Sequence, residues 1–227
     1  MDFGIAAEGV TDQVTIQNIL CGIFNEIEDL EQEITFVQPH QDATDEDDIR
    51  GYGSWTSLFS YLESRRFRED VLNTEYLIIQ IDSDVCEEVG FDVKRFDENN
   101  KELTIEKLVD AIIARLISQI GKGDPNFYVS FEDKIIFGVC VDSLECWLYK
   151  HYEPDTRKVK HQKTKSCATS LEQVISRHHK KLSASKCSKE YEKLSKPFRK
   201  IKIINQVASV DSSLNIFVDS LRNIEYP

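Results

Sequence analysis

Residues 76–84 read YLIIQIDSD, and this stretch decides the fold. Tyr76 to Ile81 is a nearly continuous apolar run, short for a helix and rich in isoleucine. A strand covered on both of its faces has this composition. The run stops at Asp82-Ser83-Asp84. Three further segments read the same way: Phe3 to Ala7 (FGIAA), ending at Glu8-Gly9; Ile34 to Val37 (ITFV); and Lys134 to Val141 (KIIFGVCV), closing on Asp142-Ser143-Leu144-Glu145.

Helical periodicity fills the intervals. Thr11 is placed to cap a helix running to about Glu28, with Ile16, Ile19, Leu20, Ile23, Phe24 and Ile27 at helical spacing. One helix is predicted from Ser54 to about Glu69, with Trp55, Leu58, Phe59, Leu62 and Arg66 on one side. Another is predicted from Thr104 to about Ile120, carried by Leu108, Ile112, Leu116 and Ile120 and ended by the GKGDP stretch at 121–125. A further helix starts at Cys146, and others follow near Ser170–Leu182, Lys189–Lys196 and Ser212–Leu221. Gln41 to Gly53, including the acidic run Asp45–Asp48, and Lys94 to Glu102 read as loops. Strands alternating with helices predict an α/β fold: a mainly parallel sheet covered by helices on both faces. The expected organisation is a sheet domain over 1–150 and a basic, mainly helical extension over 151–227, packed on or beside it.

The 227 residues suit one large domain, or one with a small appendage. With 41% hydrophobic and 30% charged residues, 9 Gly and 5 Pro, the chain has the means to pack a core, and disordered or collagen-like classes are excluded. No apolar run approaches the length of a membrane span. The start MDFGIAAEGVTD has neither a basic n-region nor a long apolar core, so a complete cytoplasmic protein without a membrane partner is expected. The six cysteines (Cys21, Cys86, Cys140, Cys146, Cys167, Cys187) form no CxxC pair and are expected as reduced, mostly buried thiols. A zinc site from Cys167, His178, His179 and Cys187 fits no usual ligand spacing and ranks second.

Charge divides the chain. Residues 1–150 carry 12 Lys/Arg and 32 Asp/Glu, a net of −20, whereas residues 151–227 carry 16 and 8, a net of +8. An acidic body concentrates cations and a basic region meets phosphates; equally, the two halves neutralise each other across a fold. Ligands of open parallel sheets sit beyond the C-terminal ends of the strands, where this chain places Glu8 with Asp12, Asp82 with Asp84, and Asp142 with Glu145. Carboxylates brought together there repel and raise one another's pKa. A hard divalent cation relieves that conflict, and oxygen donors without a His/Cys cluster point to Mg²⁺, Mn²⁺ or Ca²⁺. In DSD, alternate residues share a face, so Asp82 and Asp84 reach one site while Ser83 points away. Gly9 permits a sharp turn and close approach of the backbone to a phosphate.

Taken in order, AAEGVTD, IIQIDSD and CVDSLECW resemble the Toprim domain, above all that of the overcoming-lysogenization-defect nucleases and their small stand-alone relatives. The resemblance covers roughly residues 3–150. It implies a glutamate after the first strand (Glu8), an aspartate four residues on (Asp12), a DxD after the third strand (Asp82, Asp84) and an SxE after the next (Ser143, Glu145). It further implies two Mg²⁺ or Mn²⁺ ions held by Glu8, Asp12, Asp82, Asp84 and Glu145, with Gly9 and Ser143 auxiliary. Glu8 and Asp82, together with a later lysine for which Lys193 is chosen, would be catalytic. The implied function is metal-dependent hydrolysis of nucleic-acid phosphodiesters in phage defence, with DNA placed ahead of RNA and homo-oligomerisation allowed. No ATPase P-loop occurs in the sequence. That favours an alternative in which the chain is a non-catalytic or partner-dependent regulatory subunit binding nucleic acid or a separate ATPase. Simpler roles compete at single positions. Asp12 suits the first turn of a helix, Asp84 an N-cap and Trp147 a core. His178-His179 and the Lys/Arg residues of 157–202 suit a solvated surface.

Overall fold

The computed structural model describes residues 1–39, 54–155 and 165–224; the acidic run Asp45–Asp48 lies outside them. Four strands, β1 (Phe3–Ala6), β2 (Ile34–Gln38), β3 (Tyr76–Asp82) and β4 (Ile135–Cys140), form one parallel sheet in the order β2-β1-β3-β4. Their boundaries fall within a residue or so of the apolar runs, because side chains covered on both faces leave little polar alternation to blur the ends.

Period-two alternation sorts the strand residues into two cores. Phe3, Ile5, Ile78 and Ile136 face one side; Leu77, Ile79, Ile135 and Phe137 face the other. Helix α1 (Val10–Ile23) covers the first side, and α2 (Trp55–Glu63), α3 (Arg65–Asn73), α4 (Ile105–Gly123) and the short α5 (Phe127–Phe131) cover the second. The first side is completed by α6 (Glu145–Tyr152), α7 (Cys167–His178), α8 (Ser188–Ser195), α9 (Ile201–Ala208) and α10 (Ser212–Arg222). The basic extension therefore completes, with α1 and α6, the cover of one sheet face. Its Tyr191, Phe198, Ile204 and Phe217 are fully buried with Phe3 and Ile16 in one core. Trp147 is core as well: it is fully buried, donates its indole N–H to Ser213 Oγ (2.9 Å) and stacks on Phe217. No helix among the described residues is long and apolar enough to cross a membrane.

The structure corrects several expectations. The single helix over 54–69 is two. Ser64 takes an extended backbone, donates its hydroxyl to the Tyr61 carbonyl (2.6 Å) and caps α3 by accepting the Phe67 N–H (3.2 Å). A serine whose hydroxyl competes for backbone partners breaks a helix that apolar spacing alone would continue. Helix α4 runs through Gly121 to Gly123, because packing of its apolar face outweighs the propensity cost of the two glycines. Gly9, not Thr11, is the N-cap of α1, and that helix ends at Ile23. Helices α5 and α9 were not expected. Cys146 and Cys167 are not free thiols but a disulfide, with Cα atoms 4.9 Å apart. Cys21, Cys86, Cys140 and Cys187 are free. The zinc set does not assemble, since Cys167 is bridged and His179 packs against the Tyr152 ring.

Candidate functional site

The chain leaves β1 toward β2 on one side and returns to β3 on the other, with α1 on the opposite face from α2–α4. The strand order reverses between β1 and β3, and a crevice opens beyond the strand ends at such a point. Glu8 lies just past β1, Asp82 ends β3, and Glu145 opens α6 after β4. The chain separates Glu8 and Asp82 by 74 residues, yet the Asp82 N–H donates to Glu8 Oε1 at 2.8 Å. Asp82 Oδ1 in turn accepts the Leu144 N–H (3.1 Å) and Gln80 Nε2 (2.9 Å). The fully buried Gln80 uses its carbonyl oxygen to accept the Glu8 N–H (3.4 Å). One oxygen of each acid is thus committed to holding three strand ends together.

The turns after β3 and β4 are stitched to each other. Ser83, fully buried, accepts the Asp142 N–H on its hydroxyl (2.8 Å), and the N–H groups of Ser83 and Asp84 both donate to the Asp142 carbonyl (3.0 Å). Ser83 thereby turns inward, and Asp84 stays exposed at the rim. Asp142 has a left-handed backbone (φ 68°), and its carboxylate accepts the Cys167 N–H (3.3 Å), so it belongs to the α6–α7 junction beside the disulfide. Asp12 is buried in the first turn of α1. Gly9 is extended, a conformation open to any residue, so the turn does not require glycine there. A Cβ at Gly9 would stand 3.2 Å from Asp12 Oδ2, and glycine keeps that space clear.

Glu145, only 2% exposed, is held on one oxygen by the Tyr191 hydroxyl (2.7 Å) and Lys186 Nζ (3.3 Å). Burial opposes its ionisation, but Lys186, Ser143 and Tyr191 together outweigh burial and hold its carboxyl below the usual range. The other acids go the opposite way. Burial first, then Asp84 and Glu145, push Glu8 to about 7 against the backbone hydrogen bond from Asp82. Burial, Glu145 and Glu8 push Asp12 to about 8. Burial followed by Asp12, Glu8, Glu145 and Asp84 raises Asp82 well above its ordinary value, and burial raises Asp84. Lys186 is the cation that recurs against this negative field.

A prediction about stability follows from Glu8 and Asp12, whose ordinary values are 4.5 and 3.8. As pH rises from these values toward 7 and 8, the unfolded chain releases protons that the folded protein retains. Folding stability therefore falls with rising pH across that window and levels off above about 8. Thermal melts of the protein in chelator should show a Tm lower at pH 8 than at pH 5 by about 5 °C or more. An equal or higher Tm at pH 8 would remove the assignment of these two buried acids.

The donors at the crevice are all oxygens, and no imidazole or thiolate joins Glu8, Asp12, Asp82, Asp84 and Glu145 in the contacts described. That set matches a hard divalent cation in chemistry. No three of these carboxylates bring oxygens within 4.8 Å of one another. The one such group among the described residues is Asp142 with Cys146 and Cys167, whose sulfurs are already bonded.

Of the residues expected at the site, Glu8, Asp12, Asp82, Asp84, Ser143 and Glu145 converge. Lys193 does not: it is exposed on α8 and paired with Glu190 (2.7 Å). Among the described residues the lysine at the crevice is Lys186. Sequence reading also missed Gln80 and Tyr191. Gln80 was visible as a lone polar residue inside an apolar strand. Nothing local marks Tyr191, whose value lies in a contact across 46 residues. Fold and site together define an α/β protein with a carboxylate-lined crevice at the reversal point of a parallel sheet. Comparison of the chain with protein-family models, with curated proteins and with solved structures finds no match.

Proposed function

We propose that the protein is a Toprim-type nuclease that hydrolyses nucleic-acid phosphodiesters with Mg²⁺ or Mn²⁺, DNA being preferred to RNA. The observation that carries this reading is the meeting of Glu8, Asp82 and Glu145 from three separate strand ends, with Asp12 buried beside them. Burial and, behind it, neighbouring acids raise the pKa values of Glu8, Asp12, Asp82 and Asp84, which marks carboxyls whose ionisation is costly without a cation beside them. A pair of hard cations supplies charge neutralisation at the attacking and leaving oxygens of a phosphodiester.

Glu8, Asp12, Asp82, Asp84 and Glu145 would hold the ions. The Asp82 N–H fixes Glu8, and Gln80 and the Leu144 N–H fix Asp82, so both acids keep a second oxygen for a ligand. Tyr191 orients Glu145. Lys186, 70% exposed on its side chain yet 3.3 Å from Glu145, presents an ammonium to a phosphate arriving from solvent. The role first given to Lys193 passes to it.

The test is incubation of supercoiled plasmid, linear duplex, single-stranded DNA and RNA with the protein in Mg²⁺, Mn²⁺ or chelator, beside calorimetric Mn²⁺ titration. Cleavage that requires the cation, with saturable Mn²⁺ binding, is expected. Absence of Mn²⁺ binding at millimolar concentration would overturn the metal assignment, and cation-independent cleavage would overturn the mechanism. Lys186→Met is expected to leave Mn²⁺ affinity within a few-fold and lower kcat about 100-fold, the scale of losing one preorganised charge at a reacting oxygen.

A further inference from the structure

A crevice lined by acids repels the backbone of the polymer proposed as its substrate, so some surface beside it must offset that repulsion. We infer that the loop 179–187 and the first turn of α8 form a phosphate-backbone track that delivers nucleic acid to the crevice through its phosphates and not its bases. The inference rests on the nuclease reading for the identity of the ligand and adds the route by which that ligand arrives.

Two contacts pin this segment to the site. Lys186 and Tyr191 both reach the same oxygen of Glu145. Lys189 lies between them in sequence, exposed on the first turn of α8. At the other end of the loop, His179 packs on Tyr152, the last residue of α6, and the next two residues are the exposed Lys180 and Lys181. Helix α6 begins at Glu145 and ends at Tyr152. At 1.5 Å per residue the two ends of the track therefore lie roughly 10 Å apart, about three nucleotides of one strand. Lys180, Lys181 and Lys189 have no ion-pair partner among the described residues, unlike Lys193 and Arg199, which are paired with Glu190 and Glu31.

Another edge of the crevice has the other sign. Asp84 is followed by Glu87 and Glu88, all exposed, and these repel a polyanion there. The exposed large apolar residues, Leu72, Val89, Phe96 and Val129, all lie outside the 179–189 segment. Among the described residues no exposed Phe, Tyr or Trp accompanies its lysines, so it reads charge spacing and carries no sequence preference.

The test is fluorescence-anisotropy binding of a labelled duplex and a single strand to the full chain in chelator, across a salt series. Wild type is compared with the triple variant Lys180→Gln/Lys181→Gln/Lys189→Gln and with Lys122→Gln, exposed in the last turn of α4 on the opposite face of the sheet. The triple variant is expected to bind about 10–100-fold more weakly at 0.1 M salt. Its log–log salt slope should be shallower by about 2–3, and it should show no change between unrelated sequences. Lys122→Gln is expected to match wild type. Cation-dependent cleavage with unchanged affinity and slope in the triple variant would overturn the track and leave the nuclease reading standing. Binding lost in the triple variant, in a protein that cleaves nothing with either metal, would sustain the track and overturn the nuclease reading. Absence of wild-type binding in every condition would overturn the track.

Discussion

Asp82→Asn is expected to lose metal-dependent cleavage by about 10³-fold or more while raising the Tm of the metal-free protein at pH 8. The two effects have one cause. Asp82 is half-buried and surrounded by Asp12, Glu8, Glu145 and Asp84, so its charge is costly in the folded state without a cation. Asparagine keeps an oxygen for the Leu144 N–H, preserving one strand-end contact, but removes the charge. Loss of an outer partner of a metal ligand typically costs about 10–100-fold, and loss of a proposed ligand itself should cost more. The rise in Tm should amount to several degrees and should shrink as pH falls and the acids with raised values take up protons. Functional sites commonly carry a stability penalty of this kind. Activity assays and melts on the same preparation check it. A variant that is inactive because it is less stable than wild type would refute the electrostatic account, and retained cleavage would refute the site.

The second large effect concerns the fold. Gly22 lies in the last turn of α1, where a Cβ would meet the Phe198 carbonyl oxygen at 2.0 Å and Ile204 Cδ1 at 2.8 Å. The first obstacle is backbone, so no rotamer change relieves it. The turn Lys196–Arg199 would have to move away from α1, opening the contact that also buries Leu194 and Phe198. Gly22→Ala is therefore expected to destabilise by about 3 kcal/mol, at the upper end of overpacking effects, or roughly 6–12 °C in Tm for a chain of this size. Gly121→Ala supplies the opposite sign. It adds a methyl with nothing within 4 Å in the last turn of α4, where alanine is favoured over glycine by up to about 1 kcal/mol. Denaturant melts of the two variants should bracket wild type. A Gly22→Ala protein as stable as wild type would show that α1 and the 196–199 turn do not pack as described.

The contrast between these glycines shows how far sequence reaches. Both are glycines in apolar helices, and nothing within a helical turn of either tells them apart. Only the neighbour brought from 176 positions away, Phe198, makes one indispensable and the other replaceable. Ser64 is intermediate. Its helix-breaking chemistry was present in the sequence, but a strong apolar period across 54–69 masked it until the hydroxyl's two partners were known.

At the crevice the division follows the same physics. Glu8, Asp82 and Asp84 were legible because each follows a buried apolar run, and a strand's end is a local event. Glu145 was legible because it follows the run of β4 by a few residues. Their convergence depended on strand order, which a chain of alternating strands and helices does not specify by itself. The order β2-β1-β3-β4 decides it by setting β1 between β2 and β3. Which lysine serves the acids was also undecided. Lys186 and Lys193 sit in similar basic surroundings, and only the docking of α8 against α1 and Glu145 turns one inward and pairs the other with Glu190. The bond between Cys146 and Cys167 likewise depends on α6 meeting α7. Periodicity and burial act over a few residues and were readable along the chain; partner choice is settled by long-range packing, which only the tertiary structure decides.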